Sequence, residues 1–111
     1  MTGGPADPGP PETHPTMSES DITVRAFRIR GRVQGVGFRW WTREEALALG
    51  LRGTVRNTPD GSVEVFVAGP RPAVDRLAAR LHVAPPAAVV ERIEELPPSG
   101  DPPLDDFRIL R

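Results

Sequence analysis

Residues 31–39 read Gly-Arg-Val-Gln-Gly-Val-Gly-Phe-Arg. Glycines and arginines in this spacing, between a strand-like and a helix-like stretch, can hold an anion. Gly35 and Gly37 let the backbone curl until successive N–H groups converge into a nest. A helix starting at Phe38 would aim its first unpaired amides, and the positive end of its dipole, at the same point. Arg39, one residue into that helix, adds a planar fork of donors matched to two oxygens of one phosphate. The stretch is not a Walker loop, since G-x-x-x-x-G-K-[ST] is absent, and it is not G-x-G-x-x-G. A glycine-rich turn with no ligand fits the same spacing, and on spacing alone the two readings stand level.

The surrounding periodicities say what positions this loop. From Ile22 to Val33 side chains alternate, with Phe27, Ile29 and Val33 on one parity, as in a half-buried strand. From Phe38 to Leu49 the period lengthens: Phe38, Thr42, Ala46 and Leu49 recur at helical spacing beside Trp41, and Gly50 caps the end. Leu51–Asn57 predicts a short strand, Thr58–Gly61 a hairpin turn, and Ser62–Ala68 a second strand alternating on Val63, Val65 and Val67. Pro72 suits the first turn of a helix whose stripe is Val74, Leu77, Ala78 and Leu81. Ala88–Glu95 and Phe107–Leu110 complete the strands. The order βαββαβ, with one further strand, predicts an α+β, ferredoxin-like sandwich: two helices on one face of a four- to five-stranded antiparallel sheet.

The chain has 111 residues, room for one domain of ordinary size. Residues 1–21 are rich in proline and polar residues and predict a disordered tail, with Met17 an alternative start; residues 22–111 predict the domain. No apolar run approaches the ~18 residues of a membrane span, and no N-terminal apolar segment reads as a secretory signal. Cysteine is absent, which removes disulfide and thiolate chemistry. These features predict a cytoplasmic protein, and the size predicts a monomer. All 14 basic residues are arginine, so any anion must be gripped by guanidinium, backbone amide or an uncharged side chain. Net charge is −1, but residues 22–57 hold eight arginines against Glu44 and Glu45, a basic middle centred on the glycine loop.

Gly31–Arg39 strongly resembles the signature of the acylphosphatase family, and Gly53–Val65, reading GTVRNTPDGSVEV, resembles its second motif. The resemblance spans residues 24–110. It implies hydrolysis of the mixed anhydride of a carboxylate and phosphate, with no metal or cofactor. Its catalytic arginine falls on Arg39 and its catalytic asparagine on Asn57. Its phosphate-binding amides fall on Gln34, Gly35, Val36, Gly37, Phe38 and Arg39. The implied partners are a small acyl phosphate and inorganic phosphate, without nucleic acid or membrane. The family usually has an aromatic residue, often Trp, where this chain has Thr54.

Two other classes share parts of this pattern. RNA-recognition modules have the same βαββαβ order, but they need aromatic residues on the open sheet face, and aromatics are only 5% here, with no tyrosine. A non-catalytic anion-binding domain needs the loop but not Asn57. The remaining residues have plainer readings. His82 suits a helix C-terminus, and His14 lies in the tail. Trp41 belongs to the core and Trp40 to a rim. Arg32 lines the pocket mouth or is simply exposed. The pairs Glu94-Glu95 and Asp105-Asp106 alternate across strands as solvated charge.

Overall fold

A computed structural model describes residues 22–103 and 105–110. The predicted tail at 1–21, with His14 and Met17, lies outside the described residues, as do Leu104 and Arg111. The elements are β1 (Ile22–Arg32), α1 (Phe38–Ala48), β2 (Arg52–Asn57), β3 (Val63–Pro70), α2 (Arg71–Leu81), β4 (Val89–Leu96) and β5 (Phe107–Leu110). They form one five-stranded sheet in the order β4-β1-β3-β2-β5.

The alternation in the sequence becomes two faces. Phe27 and Ile29 of β1, Val55 of β2, Val63, Val65 and Val67 of β3 and Phe107 of β5 are buried against the helices. Phe38, Thr42 and Ala46 of α1 and Val74, Leu77 and Leu81 of α2 meet them from the other side. Helix α1 covers β2 and β5, while α2 covers β3 and β1. An Arg80–Glu45 bond of 2.8 Å ties the two helices together, with the Arg80 guanidinium 5.9 Å from the Trp41 ring centre.

Strands β1 and β2 are both antiparallel to β3, which lies between them; β3 and β4 are both antiparallel to β1. The chain is therefore two interleaved split βαβ units. One pair departs from the antiparallel expectation: β5 runs parallel to β2, Gly53 facing Phe107. The cause is the route of the chain. Strand β4 ends on the far edge, at the end of the sheet where β2 begins, so β5 starts level with β2's start. Parallel strands require a crossover connection.

The face away from the helices is a ladder of charge. Arg28 lies between Glu94 and Glu64 in the register, and Arg56 lies beyond Glu64. Glu64 accepts from Arg28 at 2.7 Å and from Arg56 at 2.8 Å; Glu94 accepts from Arg30 at 3.1 Å and forms an ion pair with Arg92 at 3.0 Å. The hydrogen bonds from Arg28 and then Arg56 hold the Glu64 carboxyl below its ordinary pKa. Glu95 turns the other way and pairs with Arg25 at 2.7 Å. The residues expected to be free solvated charge are thus paired on β4. Asp105 and Asp106 lie before β5 rather than within it, because the Asp106 carboxylate caps the strand's first amide, accepting from Phe107 N at 2.7 Å. Where RNA readers carry a stacking platform, this face carries ion pairs. Thr54 lines a cavity of about 270 Å³ there, with Phe66, Leu96 and Pro97, the space that a larger residue would fill.

Both sheet edges are guarded against further strand pairing. On β5, Phe107 N is taken by Asp106 and Phe107 O by Arg43 Nε at 3.0 Å. On β4, Glu91, Arg92, Glu94 and Glu95 crowd the strand with charge.

Gly53 marks a contact that no other residue allows. Its φ is +151°, and a Cβ there would lie 1.8 Å from the carbonyl oxygen of Phe66 on β3. Gly53→Ala should therefore destabilise the fold by at least about 2 kcal/mol, read as a lower urea midpoint at unchanged slope. A midpoint equal to wild type would show that β2 can move off β3.

Candidate functional site

The glycine loop and the hairpin turn meet at one end of the sheet. Residues 33–37 leave the C-terminal end of β1, and residues 58–62 leave the C-terminal end of β2 and enter β3. Because β3 lies between β1 and β2, its entry turn sits beside the loop. The Gln34 side chain joins them: its Nε2 donates to Thr58 O at 2.8 Å and to Ser62 O at 2.9 Å. Sequence reasoning proposed Gln34 for its amide; the tie made by its carboxamide was not legible, because the two carbonyls belong to a turn 24 and 28 residues away.

The loop takes the left-handed turns its glycines permit. Gly35 has φ +75° and Gly37 φ +81°, with open space around each position where a Cβ would stand. The glycine requirement here is conformational. Gly37 is also the N-cap of α1, and it supplies no capping side chain; no acid occupies the first turn. The first helical bond is Trp41 N to Gly37 O at 3.0 Å. Residues 34–37 form turns, and among the described residues none of the amides of 34–40 makes a close, well-aligned hydrogen bond. A run of open N–H groups thus surrounds an uncapped helix start, which favours an anion.

Side chains divide the loop by role. Phe38 is buried in the core and packs on Trp41 with ring centres 5.7 Å apart, and Val36 packs against the same core. These two residues offer only their amides. Arg39 is half-buried and makes no hydrogen bond or ion pair among the described residues; with Trp40, which is 61% exposed, it borders a groove between α1 and β5. Arg32 is exposed, and His82 is exposed at the C-terminal end of α2, where it lines a separate pocket with Arg25 and Glu95.

Asn57 is the last residue of β2, facing Val63 across the hairpin. Its Oδ1 is shielded from solvent and accepts no hydrogen bond among the described residues. A buried acceptor without a donor is costly and calls for a partner such as water or ligand. Next to it, Asp60 organises the turn, accepting from the hydroxyls of Ser62 and Thr58 and from Ser62 N, with Arg30 at 3.2 Å. The Ser62 hydroxyl first, then the Thr58 hydroxyl and the Ser62 amide, hold the Asp60 carboxyl well below the usual carboxylate range. Among the described residues, no three His, Asp or Glu side chains converge as metal ligands.

A depressed carboxyl pKa adds stability above its unfolded value of about 4, and that stability fades as pH falls toward the folded value. Melting temperature should thus drop more steeply for wild type than for Asp60→Asn between about pH 4 and pH 2. Parallel curves would remove the turn from the acid response.

The comparisons with known proteins fit this arrangement. A family model described as Acylphosphatase matches residues 25–109. An acylphosphatase of Nitrobacter hamburgensis is 54% identical over 77 residues, 69% of this chain and 78% of that protein. One from Rhizobium etli is 47% identical over 93 residues, 84% of this chain and 98% of its own length. The solved structure of an acylphosphatase from Coxiella burnetii superposes with a TM-score of 0.74 at 34% identity, covering 86% of this chain and 99% of that one.

Proposed function

The chain belongs to the acylphosphatase family, and we propose that it hydrolyses acyl phosphates to a carboxylate and inorganic phosphate. In this reading the amides of Gln34, Gly35, Val36, Gly37, Phe38 and Arg39, with the Arg39 guanidinium, hold the phosphoryl oxygens. Asn57 orients the attacking water. The observation that carries the reading is the run of open amides around the uncapped start of α1, with an unpaired arginine on its first turn.

The chemistry asks little more of the protein. The water oxygen attacks phosphorus, the bond from phosphorus to the acyl oxygen breaks, and its electron pair leaves with the carboxylate. A carboxylate needs no proton to depart, so no general acid is required. The water's proton passes to a phosphoryl oxygen. Catalysis then rests on positioning and on fixed donors that follow the redistributing charge. The solvent-shielded Asn57 Oδ1 supports the water-orienting role, being an acceptor with no partner of its own. An amide oxygen aims water without taking its proton. We take the protein to work as a monomer in the cytoplasm on a small acyl phosphate; the guarded sheet edges and the absence of cysteine support this.

Two variants separate holding from attack. Arg39→Lys keeps the charge and loses the planar two-oxygen contact, so kcat for acetyl phosphate should fall roughly 10²–10³-fold, with weaker inhibition by phosphate. Near wild-type turnover would take Arg39 out of the mechanism. Asn57→Ala should collapse kcat while phosphate inhibition stays close to wild type, since the anion's donors remain. If Asn57 instead only braces the turn, melting temperature and phosphate binding fall together.

A further inference from the structure

Arg39 stands at the mouth of the groove between α1 and β5, whose volume is about 630 Å³. Its lining is unlike the charge ladder on the open face. Trp40, 61% exposed, is its apolar wall on α1, and Ile109 lines it from β5. Arg43 lies one helical turn beyond Arg39 on α1, about 6 Å away along the same face. The Arg43 side chain is fixed, because its Nε donates to Phe107 O at 3.0 Å. Among the described residues its Nη atoms have no partner at hydrogen-bond distance: Glu44, largely exposed, is 3.8 Å from Nη1. Across the groove Arg108 is 3.9 Å from Asp106, also a loose pairing. Among the described residues Asp106 is the sole acid on this lining, and its Oδ1 is occupied by Phe107 N. Arg39 and Arg43 thus share the α1 wall, while Arg108, on the strand parity opposite Phe107, pairs with Asp106 at the β5 rim.

We propose that this groove receives the acyl group of the substrate, and that Arg43 selects acyl groups bearing a second carboxylate at the far end. The proposal rests on the reading that Arg39 holds the phosphoryl end. With phosphate at Arg39, the acyl carbon must leave the loop on a side open to solvent, and the groove begins at that arginine. An apolar or aryl body lies against Trp40 and Ile109. A distal carboxylate then meets the two Nη donors of a guanidinium already oriented by its Nε. A pre-oriented fork loses little freedom on binding and matches a carboxylate.

The test compares equilibrium binding of 4-carboxybenzylphosphonate and benzylphosphonate by calorimetry, neither of which can be hydrolysed. Wild type should bind the carboxylated compound about fivefold more tightly, the gain of one partly exposed ion pair. In Arg43→Met the ratio should fall to near one, and Arg43→Lys should retain part of it. Loss of the bond to Phe107 O acts on both compounds alike and leaves the ratio unmoved. A ratio near one in wild type, or one surviving in Arg43→Met, overturns the proposal. An equal loss in Arg76→Met, on α2, overturns it too, by assigning the preference to the general field. Acetyl phosphate turnover by the same preparation is scored separately: its absence beside an intact ratio counts against hydrolysis and not against the groove.

Discussion

The Gln34 carboxamide holds together two turns that the sequence separates by 24 residues. Its two donated bonds, to Thr58 O and Ser62 O, set the glycine loop against the hairpin. Each turn alone is a weakly ordered connection. Joined, they form a floor on which the amides of residues 34–40 and the end of β2 keep a constant relation. The hairpin is rigid for its own reasons, through the Asp60 carboxylate. The loop inherits that rigidity through one side chain. Preorganised donors are effective because they need not reorganise when charge shifts.

Positive charge at this end arises from selective neutralisation more than from abundance. Arg25, Arg28, Arg30, Arg56 and Arg80 each face an acid across strands or helices. These pairs are partly exposed and individually worth little to stability. Their effect is to leave the face opposite the helices nearly balanced while Arg39 is left without a counter-ion among the described residues. The same arginine-only composition thus yields a ladder in one place and an open guanidinium in another.

Much of this was legible in the sequence. The change of period at Phe38, the Gly50 cap and the Pro72 helix start place every element within a residue or two of its observed bounds. That alone puts Arg39 on the first turn of α1 and Asn57 at the end of β2. What escaped depends on partners distant in the chain. The sense of β5 follows from the end of the sheet at which β4 stops. Gly53 looks like any strand glycine until Phe66 O is brought beside it. Gln34 reads as one more loop amide until the turn carbonyls are in place. Asp106 reads as half of a solvated pair, whereas it caps the strand that follows. Local propensity and period are properties of one stretch, while these are properties of register.

The make-up of the cluster around α1's first turn has one more consequence. Guanidinium, carboxamide and peptide N–H neither gain nor lose a proton anywhere between about pH 5 and pH 9. His82, the histidine within the described residues, lines a different pocket, beside Arg25 and Glu95. Across the neutral range the protein side of this encounter is therefore electrostatically constant. The proton inventory that does change there belongs to the ligand, since a phosphate monoester gives up its second proton near pH 6. Such a site has no internal clock for acidity: it meets monoanion and dianion with the same fixed donors, and any response to pH is inherited from the molecule it holds.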